Sequence, residues 1–263
     1  MKGFILTIDD KLAQWDAGER ILVGVQALLD APGACELAGL IGFDTVWLEM
    51  EHGPSGFEKL RTLSAFAQTG GAIPVARIPD HGRHHILRNV ESGIPIILIP
   101  MVNNADIARQ IVEHGKFSPE GARGFNTVSR GLGYGLSETS EAFAAANRRT
   151  HLIAQIETRE GLDNLDEILA VDGLAGIFVG PGDLSVALGL PAQLTHPEML
   201  ETVASTIGRA RTAGKHAGLL GPPQLLQAGL AAGADFFFCG NDITALRTTW
   251  VELLERAKQG FVE

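Results

Sequence analysis

Hydrophobic and polar positions alternate in blocks along the chain. Short runs rich in Val, Ile and Leu are separated by longer segments in which apolar residues recur at helical spacing. This alternation is typical of repeated β-α units around a parallel sheet. Eight runs are predicted to be strands, namely Leu22 to Leu28, Thr45 to Glu49, Ile73 to Arg77, Ile96 to Pro100, Leu152 to Glu157, Gly176 to Val179, His216 to Leu220 and Phe236 to Cys239.

Amphipathic helices are predicted between the strands, and several end at Gly, a common helix stop. They include FEKLRTLSAFAQ, NADIARQIVEHG, LDNLDEILA, PEMLETVASTIGRARTAG and DITALRTTWVELLERAKQ. Eight strands alternating with helices over 263 residues predict a single α/β domain, a closed (β/α)₈ TIM barrel spanning residues 1–263. A doubly wound open sheet is the alternative.

One long segment, 114–139, has no clear pattern and contains GARGFNTVSRGLGYG. Long Gly-rich loops in compact domains are more often functional than accidental, so a lid or a subunit contact is expected here.

Composition narrows the class of partner. The formal net charge is −10, and no basic cluster offers a face for phosphates, so no nucleic-acid partner is expected. The apolar run at the N-terminus is too short for a signal peptide or a membrane span, which favours a cytoplasmic protein without membrane contact. Cys35 and Cys239 each lie in an apolar stretch and are predicted to be buried free thiols.

Polar side chains stand where four of the predicted strands end. In a barrel, chemistry gathers at the carboxyl ends of the strands. The residues concerned are Glu49, Glu51 and His52 in LEMEHGP, Arg77 in VARIP, Gln155 and Glu157 in QIETREG, and Asp183 in GPGDLS.

Glu157 and Asp183 follow neighbouring strands and together suit a hard cation such as Mg²⁺ or Mn²⁺, which prefers oxygen ligands. Taken singly, Asp183 could instead cap a helix, and Glu157 could pair with Arg159 at the surface. Arg77 directly follows an apolar strand, where a guanidinium needs an anion; a substrate carboxylate or enolate fits, and a structural ion pair is the alternative. His52, beside acidic residues, is a candidate proton carrier.

The lysines bear on whether covalent catalysis through a Schiff base is available. A Schiff-base enzyme needs a Lys that projects from a strand into the barrel mouth. None of the six lysines lies at the carboxyl end of a predicted strand; they are Lys2, Lys11, Lys59, Lys116, Lys215 and Lys258. A metal is therefore favoured as the electron sink.

From about Leu22 to the C-terminal helix, the sequence resembles the HpcH/HpaI aldolases, the class II pyruvate aldolases. The resemblance is carried by EHGP, VARIP, PMVNNADIARQIV, the RG at 123–124, QIETREGLDNLDEI and GIFVGPGDLSVALG. The last two blocks together are quite specific, whereas EHGP or VARIP alone is not.

The resemblance implies an aldehyde-lyase that cleaves or forms 4-hydroxy-2-oxo acids from pyruvate, or a related 2-keto acid, and an aldehyde through a metal-bound enolate. It implies that Glu157 and Asp183 hold a divalent cation, Mg²⁺, Mn²⁺ or Co²⁺. It assigns enolate stabilisation to Arg77 and proton transfer to His52 with an acidic partner. The substrate-binding set that it implies is Arg77, Gln155, Gly182, Asp183 and Leu220.

One position departs from the family pattern. Many members carry Asp where this chain has Glu49, which leaves open whether Glu49 or Glu51 serves as the partner of His52. The resemblance also implies a hexamer, a trimer of dimers, in which the helix at about 242–259 is exchanged between subunits. Oxaloacetate decarboxylation is expected as a side activity.

Other functions on the same fold remain as alternatives. A citramalyl- or malyl-CoA lyase would share the carboxylates but needs a basic groove for the CoA phosphates, which the sequence does not show. A non-catalytic binding barrel would have no reason to keep the chemical set together. A phosphate-binding isomerase would need an anion site after the last two strands, for which GLLGPP and FCGND are weak signals.

Overall fold

Helices surround a closed barrel of eight parallel strands in the computed structural model, which describes residues 6–260. The elements in chain order are α1 (Ile8–Asp16), β1 (Leu22–Ala27), α2 (Pro32–Ile41), β2 (Thr45–Glu49), α3 (Phe57–Thr69), β3 (Ile73–Arg77), α4 (Arg83–Glu91), β4 (Ile96–Ile99), α5 (Ala105–Gly115), a 3₁₀ helix (Arg130–Gly135), α6 (Thr139–Arg149), β5 (His151–Ile156), α7 (Arg159–Asp163), α8 (Leu165–Leu169), β6 (Gly176–Val179), α9 (Pro181–Ala187), α10 (Pro197–Thr212), β7 (His216–Leu220), α11 (Pro223–Ala231), β8 (Phe236–Asn241) and α12 (Asp242–Gly260). The predicted (β/α)₈ barrel is confirmed, and all eight predicted strands are present within two residues of their predicted ends.

Strand alternation divides the core into two layers. On β2, Trp47 faces the barrel interior, where it packs edge-on against Phe178 and Phe238. Val46 and Leu48 face outwards into the larger core between the strands and the helices. Because successive side chains point to opposite faces of a strand, Glu49 shares the inward face with Trp47.

Helix α1 closes the amino end of the barrel. It begins with a capping box, in which the Thr7 hydroxyl accepts from the Asp10 N–H and the Asp10 carboxylate accepts from the Thr7 N–H. Leu12 and Trp15 from this helix are buried among the inward-facing strand residues. The barrel interior is therefore packed from the floor to the mouth.

One predicted helix is divided in two. LDNLDEILA was expected to be continuous, but α7 ends at Asp163 and α8 begins at Leu165. Asn164 stands between them outside the helical region (φ −95°, ψ 12°), and its side-chain amide donates to the Asn103 carbonyl at 2.9 Å. A side chain that bonds to backbone elsewhere favours a helix boundary over a helix interior.

The prediction that both cysteines are buried is right for Cys35 and wrong for Cys239. Both thiols are free, but Cys239 is exposed. It lies near the end of β8, and no residue of the following helix α12 is buried, so α12 does not cover the Cys239 thiol.

The segment 114–139 is irregular apart from the end of α5, the 3₁₀ turn and the start of α6. It borders a cavity of about 310 Å³ that also contacts α3 and α4. Across residues 6–260, no helix combines the length and apolar character needed to cross a membrane. Residues 1–5, with Lys2 and the start of the segment considered for targeting, and residues 261–263 lie outside the described part.

Candidate active site

Four polar side chains lie on the inward face at the carboxyl end of the barrel. Gln26, Glu49, Arg77 and Gln155 each occupy an inward position near the end of a strand, and all four are buried. Glu49 on β2 and Arg77 on β3 are direct neighbours in the strand register. The fold therefore gathers residues that are far apart in sequence at the barrel mouth.

Arg77 is fixed between two carboxylates. Its Nε and Nη2 lie 2.8 and 2.6 Å from Glu49 Oε2, and its Nη1 lies 3.1 Å from Glu51 Oε2. The guanidinium also stands over the Trp47 ring, 5.0 Å from its centroid. Gln26 donates to the same Glu49 oxygen at 3.0 Å. These contacts hold the planar group in one orientation while its charge is compensated.

Glu49 and Glu51 have different relations to His52. Glu49 Oε1 accepts the backbone N–H groups of Glu51 and His52, at 2.7 and 3.0 Å, and so shapes the turn. The His52 imidazole is exposed, and its Nε2 lies 3.8 Å from Glu51 Oε2. The structure thus places Glu51 beside the imidazole and Glu49 beneath the turn.

Glu157 is buried just beyond β5 and is held by its neighbours. Its Oε1 accepts the Met101 N–H at 2.8 Å, and its Oε2 accepts from the Gln155 amide. Met101 has φ +56°, a left-handed conformation that is uncommon for a residue other than Gly and that often accompanies functional sites. A Cβ at Gly180 would lie 2.6 Å from Glu157 Oε2 and 2.8 Å from Gln155 Nε2, so a larger residue there would force these two side chains to shift.

Asp183 lies in the first turn of α9 and is exposed at the mouth. Burial raises the pKa of Glu157, and the charges of Glu51 and Asp183 raise it further against the hydrogen bonds from Met101 and Gln155. Burial also raises the pKa of Glu51, where Glu49 and Asp183 act in the same sense and Arg77 and His52 oppose it. Three carboxylates from different loops therefore share one electrostatic environment.

Gly182 and Leu220 border this region. Gly182 is exposed in the first turn of α9, with open space where a Cβ would stand. Leu220 ends β7 and packs against the inner core. The structure thus places every predicted site residue at the same end of the barrel.

The donor set fits a divalent cation. Among the predicted site residues and their described neighbours at this end of the barrel, two buried oxygens have no hydrogen-bond partner: Gln155 Oε1, and Glu51 Oε2, which lies at ion-pair distance from Arg77 without hydrogen-bond alignment. Clustered carboxylates that repel one another, together with a free amide oxygen, match the ligand preference of Mg²⁺ and Mn²⁺. The fold and this site define a barrel enzyme built for metal-assisted chemistry.

The comparisons with known proteins then give the family. Residues 24–248 match the model of the HpcH/HpaI aldolase/citrate lyase family, and the chain belongs to this family. It is 36% identical over 227 residues to a hydroxypyruvate/pyruvate aldolase of Roseobacter denitrificans, covering 86% of this chain and 88% of that one. It is 33% identical over 244 residues to a 5-keto-4-deoxy-D-glucarate aldolase of Salmonella paratyphi C, covering 92% and 94%.

Solved structures agree with this assignment. An HpcH/HpaI aldolase of Desulfitobacterium hafniense superposes with a TM-score of 0.87 at 25% identity, covering 96% of this chain and 97% of that one. Citrate synthase SbnG gives 0.85 at 25% identity with 96% and 98% coverage. The predicted family and enzyme class, a class II aldolase acting as a carbon–carbon lyase, are confirmed.

Sequence reasoning missed two contributors to the site. Gln26 is a polar residue in an apolar strand at an inward position, and this alternation was a usable signal. Met101 contributes its backbone N–H through an unusual φ, for which the sequence offers no signal.

Proposed function

We propose that the protein catalyses the reversible aldol cleavage of 4-hydroxy-2-oxo acids into an aldehyde and pyruvate or a related 2-keto acid such as hydroxypyruvate. The observation that carries this proposal is that Glu51, Glu157 and Asp183 interact electrostatically at the barrel mouth. Two buried oxygens there, Glu51 Oε2 and Gln155 Oε1, have no hydrogen-bond partner among the described residues. The names of the aldolases of Roseobacter and Salmonella support the substrate class.

Glu157 and Asp183 are the residues that would hold the divalent cation, Mg²⁺, Mn²⁺ or Co²⁺. When bound, such a cation supplies Lewis acidity that withdraws electrons from a 2-keto acid. The contacts of Met101 and Gln155 with Glu157 orient that carboxylate before any ligand arrives, so little reorganisation is needed on binding.

Arg77 is suited to stabilise the negative charge that develops on the keto oxygen. Its orientation is fixed by Glu49 and Glu51, and preorganised donors are effective where charge develops during the reaction. Gln155 and the first-turn N–H of Gly182 are placed to hold the keto acid, because N–H groups of a first helical turn have no partner within the helix. Leu220 supplies an apolar wall.

His52 and Glu51 form the proposed proton-transfer pair. In the cleavage direction the 4-hydroxyl group loses its proton, the bond between C3 and C4 breaks, and C3 of the resulting enolate takes up a proton. His52 is exposed at the mouth within 3.8 Å of Glu51, and the raised pKa of that carboxyl brings it closer to the neutral range, where general acid–base groups work best. The same enolate would allow oxaloacetate decarboxylation as a side activity.

We further propose a homo-oligomer, a hexamer built as a trimer of dimers, in which residues 242–259 pack on a neighbouring subunit. Helix α12 exposes Trp250, Val251, Leu253 and Leu254, each more than half accessible, and leaves Cys239 near the end of β8 exposed. Apolar surface of this kind usually marks a protein interface. A cytoplasmic location is proposed because both cysteines are free thiols.

The test is to strip the protein with a chelator, restore Mg²⁺, Mn²⁺ or Co²⁺ in turn, and follow pyruvate release from 4-hydroxy-2-oxo acids. We expect metal-dependent release that is lost in Glu157→Ala and Arg77→Ala. A folded wild-type protein that releases nothing with any metal or substrate would overturn the proposal.

A further inference from the structure

A second cluster of potential metal ligands lies at the opposite end of the barrel. His151 is the first residue of β5 and His216 is the first residue of β7, and both occupy inward-facing positions of their strands. Inward side chains of alternate strands share a layer in this fold, so the two imidazoles meet beneath the core. Asp16, the last residue of α1, reaches them from below.

The ligand atoms are already close together. Asp16 Oδ1 lies 2.8 Å from His151 Nε2 and 3.2 Å from His216 Nε2, and one ligand atom from each residue falls within 4.8 Å of the others. Ligands of a tetrahedral zinc ion at 2.0–2.1 Å from the metal stand about 3.3 Å apart. The distance from Asp16 Oδ1 to His216 Nε2 is already close to that spacing, and the distance from Asp16 Oδ1 to His151 Nε2 would reach it if it lengthened by about half an ångström.

The far side of each imidazole ring is occupied in the manner expected of a metal ligand. His151 Nδ1 lies 3.1 Å from the Arg149 carbonyl, which can only accept, so this nitrogen carries the proton. His216 Nδ1 lies 2.8 Å from Asp235 Oδ2. Histidines that bind metals usually donate the other ring N–H to a backbone carbonyl or a carboxylate. Both Nε2 atoms are thus directed at the position between the three residues.

The surroundings hold the rings rigidly and leave access from solvent. The Trp15 ring stacks on His216 with centroids 3.8 Å apart, while the Asp16 side chain is 45% exposed. A cavity of about 390 Å³ borders all three ligand residues. A water molecule could therefore complete the coordination that two imidazoles and one carboxylate begin.

The cationic groups of Lys116, Lys215 and Arg211 bond to groups other than the three proposed ligands. Lys116 and Lys215 border the same cavity, but each ammonium group donates to two backbone carbonyls. Arg211 is paired with Asp235. Asp16 is the carboxylate closest to the proposed position, and its negative charge offsets part of the ion's charge.

From this geometry we propose a second, structural metal site for a zinc-type transition-metal ion, formed by Asp16 Oδ1, His151 Nε2 and His216 Nε2. Such an ion would fasten α1 to the floor of the barrel, far from the aldolase chemistry. Imidazole nitrogen suits Zn²⁺ better than Mg²⁺, so the two ends of the barrel would select different metals.

The experiment titrates chelator-treated protein with Zn²⁺ in competition with a chromophoric chelator. It uses full-length chain carrying Glu157→Gln and Asp183→Asn, so that the carboxyl end contributes no site and aldolase activity plays no part in the readout. We expect one zinc per chain and a zinc-induced rise in Tm. His151→Gln and His216→Gln should each weaken binding more than tenfold, and Asp235→Asn should weaken it about 10- to 100-fold by releasing the His216 ring.

A matched variant, His84→Gln, changes an exposed imidazole and should bind zinc like the parent. Since Asp16 is half exposed, Asp16→Asn tests the same site with little risk to folding, and its Tm should no longer respond to zinc. The proposal is overturned if the parent binds no zinc, or if zinc affinity is unchanged in the folded variants among Asp16→Asn, His151→Gln and His216→Gln. In that case the cluster is a hydrogen-bonded ion network alone.

Discussion

The two ends of the barrel carry polar clusters of opposite character. At the carboxyl end, carboxylates outnumber cations, two buried oxygens lack partners among the described residues, and Met101 holds a left-handed backbone conformation. At the amino end, each ring nitrogen of His151 and His216 has a partner, and Trp15 packs directly on them. Unpartnered carboxylate and amide oxygens and a left-handed residue mark the end built for chemistry, whereas at the amino end the titratable side chains pair with one another and only the neighbouring Trp15 Nε1 is buried without a partner among the described residues of that cluster.

The largest effect is expected at the amino end, on stability. Trp15→Ala removes a fully buried side chain that packs on His216, His151 and Phe236. The cavity should lower the free energy of unfolding by about 3–5 kcal/mol, measured by urea denaturation in metal-free buffer. The value of kcat/KM per folded molecule should stay within about twofold. A large fall in kcat/KM per folded molecule would contradict the view that the amino end supports the fold and not the chemistry.

The next effect is expected at the carboxyl end, on activity. Arg77→Lys keeps the charge but loses the planar fork that contacts Glu49 and Glu51. We expect kcat/KM to fall about 100-fold, or about 2.7 kcal/mol, in steady-state assays of pyruvate release. Arg109→Lys alters an exposed arginine paired with Asp106 and is the matched control. Wild-type activity in Arg77→Lys would remove Arg77 from the proposed mechanism.

A smaller change tests the shape around Glu157. Gly180→Ala places a methyl group against Glu157 and Gln155, so kcat/KM should fall about tenfold, equivalent to about 1.4 kcal/mol. Gly208→Ala serves as the control, because Gly208 lies within α10 with open space at the corresponding position. That control should instead stabilise the protein by about 0.5–1 kcal/mol, and equal activity losses in both variants would refute the steric argument.

The smallest effect concerns the start of α1. Thr7→Ala removes the side-chain cap whose oxygen accepts from Asp10 N–H, and should cost about 1 kcal/mol of unfolding free energy without changing kcat/KM. Thr69→Ala removes an exposed hydroxyl that bonds within its own helix and should cost less than about 0.5 kcal/mol. Denaturant titrations of the two variants side by side would sharpen the distinction between capping and a general loss of a hydroxyl group.

Much of the fold follows from the sequence because strand-sized apolar runs and amphipathic segments alternate along most of the chain outside the segment 114–139. Which strand residues face inwards was not predicted; the inward positions of Glu49 and Arg77 follow from the observed inward positions of Trp47 and Val75, two residues earlier on each strand. The break at Asn164 escaped prediction because it depends on a bond to the Asn103 carbonyl, a contact between residues 61 positions apart. The exposure of Cys239 escaped prediction because local apolarity does not reveal that the residues of α12 leave this thiol accessible.

The site is predictable in its residue types and less so in its pairings. Strand ends locate Glu157, Asp183 and His52 at one rim, but the division of roles between Glu49 and Glu51 depends on which carboxylate reaches the turn and which reaches the imidazole. The cluster at the amino end carried a readable signal, since two predicted strands begin at or next to a His. Its third member, Asp16, comes from a helix whose position under the barrel only the fold reveals.

Strand β5 contributes a polar side chain to each cluster, with His151 at its first position and Gln155 four residues later, about 13 Å along the strand. Their separation is an even number of residues, so both side chains point inwards. A single-residue insertion or deletion near the start of β5 that slid the rest of the strand would turn inward positions outwards. In evolutionary terms, β5 should tolerate substitutions far better than changes in length, because one shift in register would disable both ends of the barrel at once.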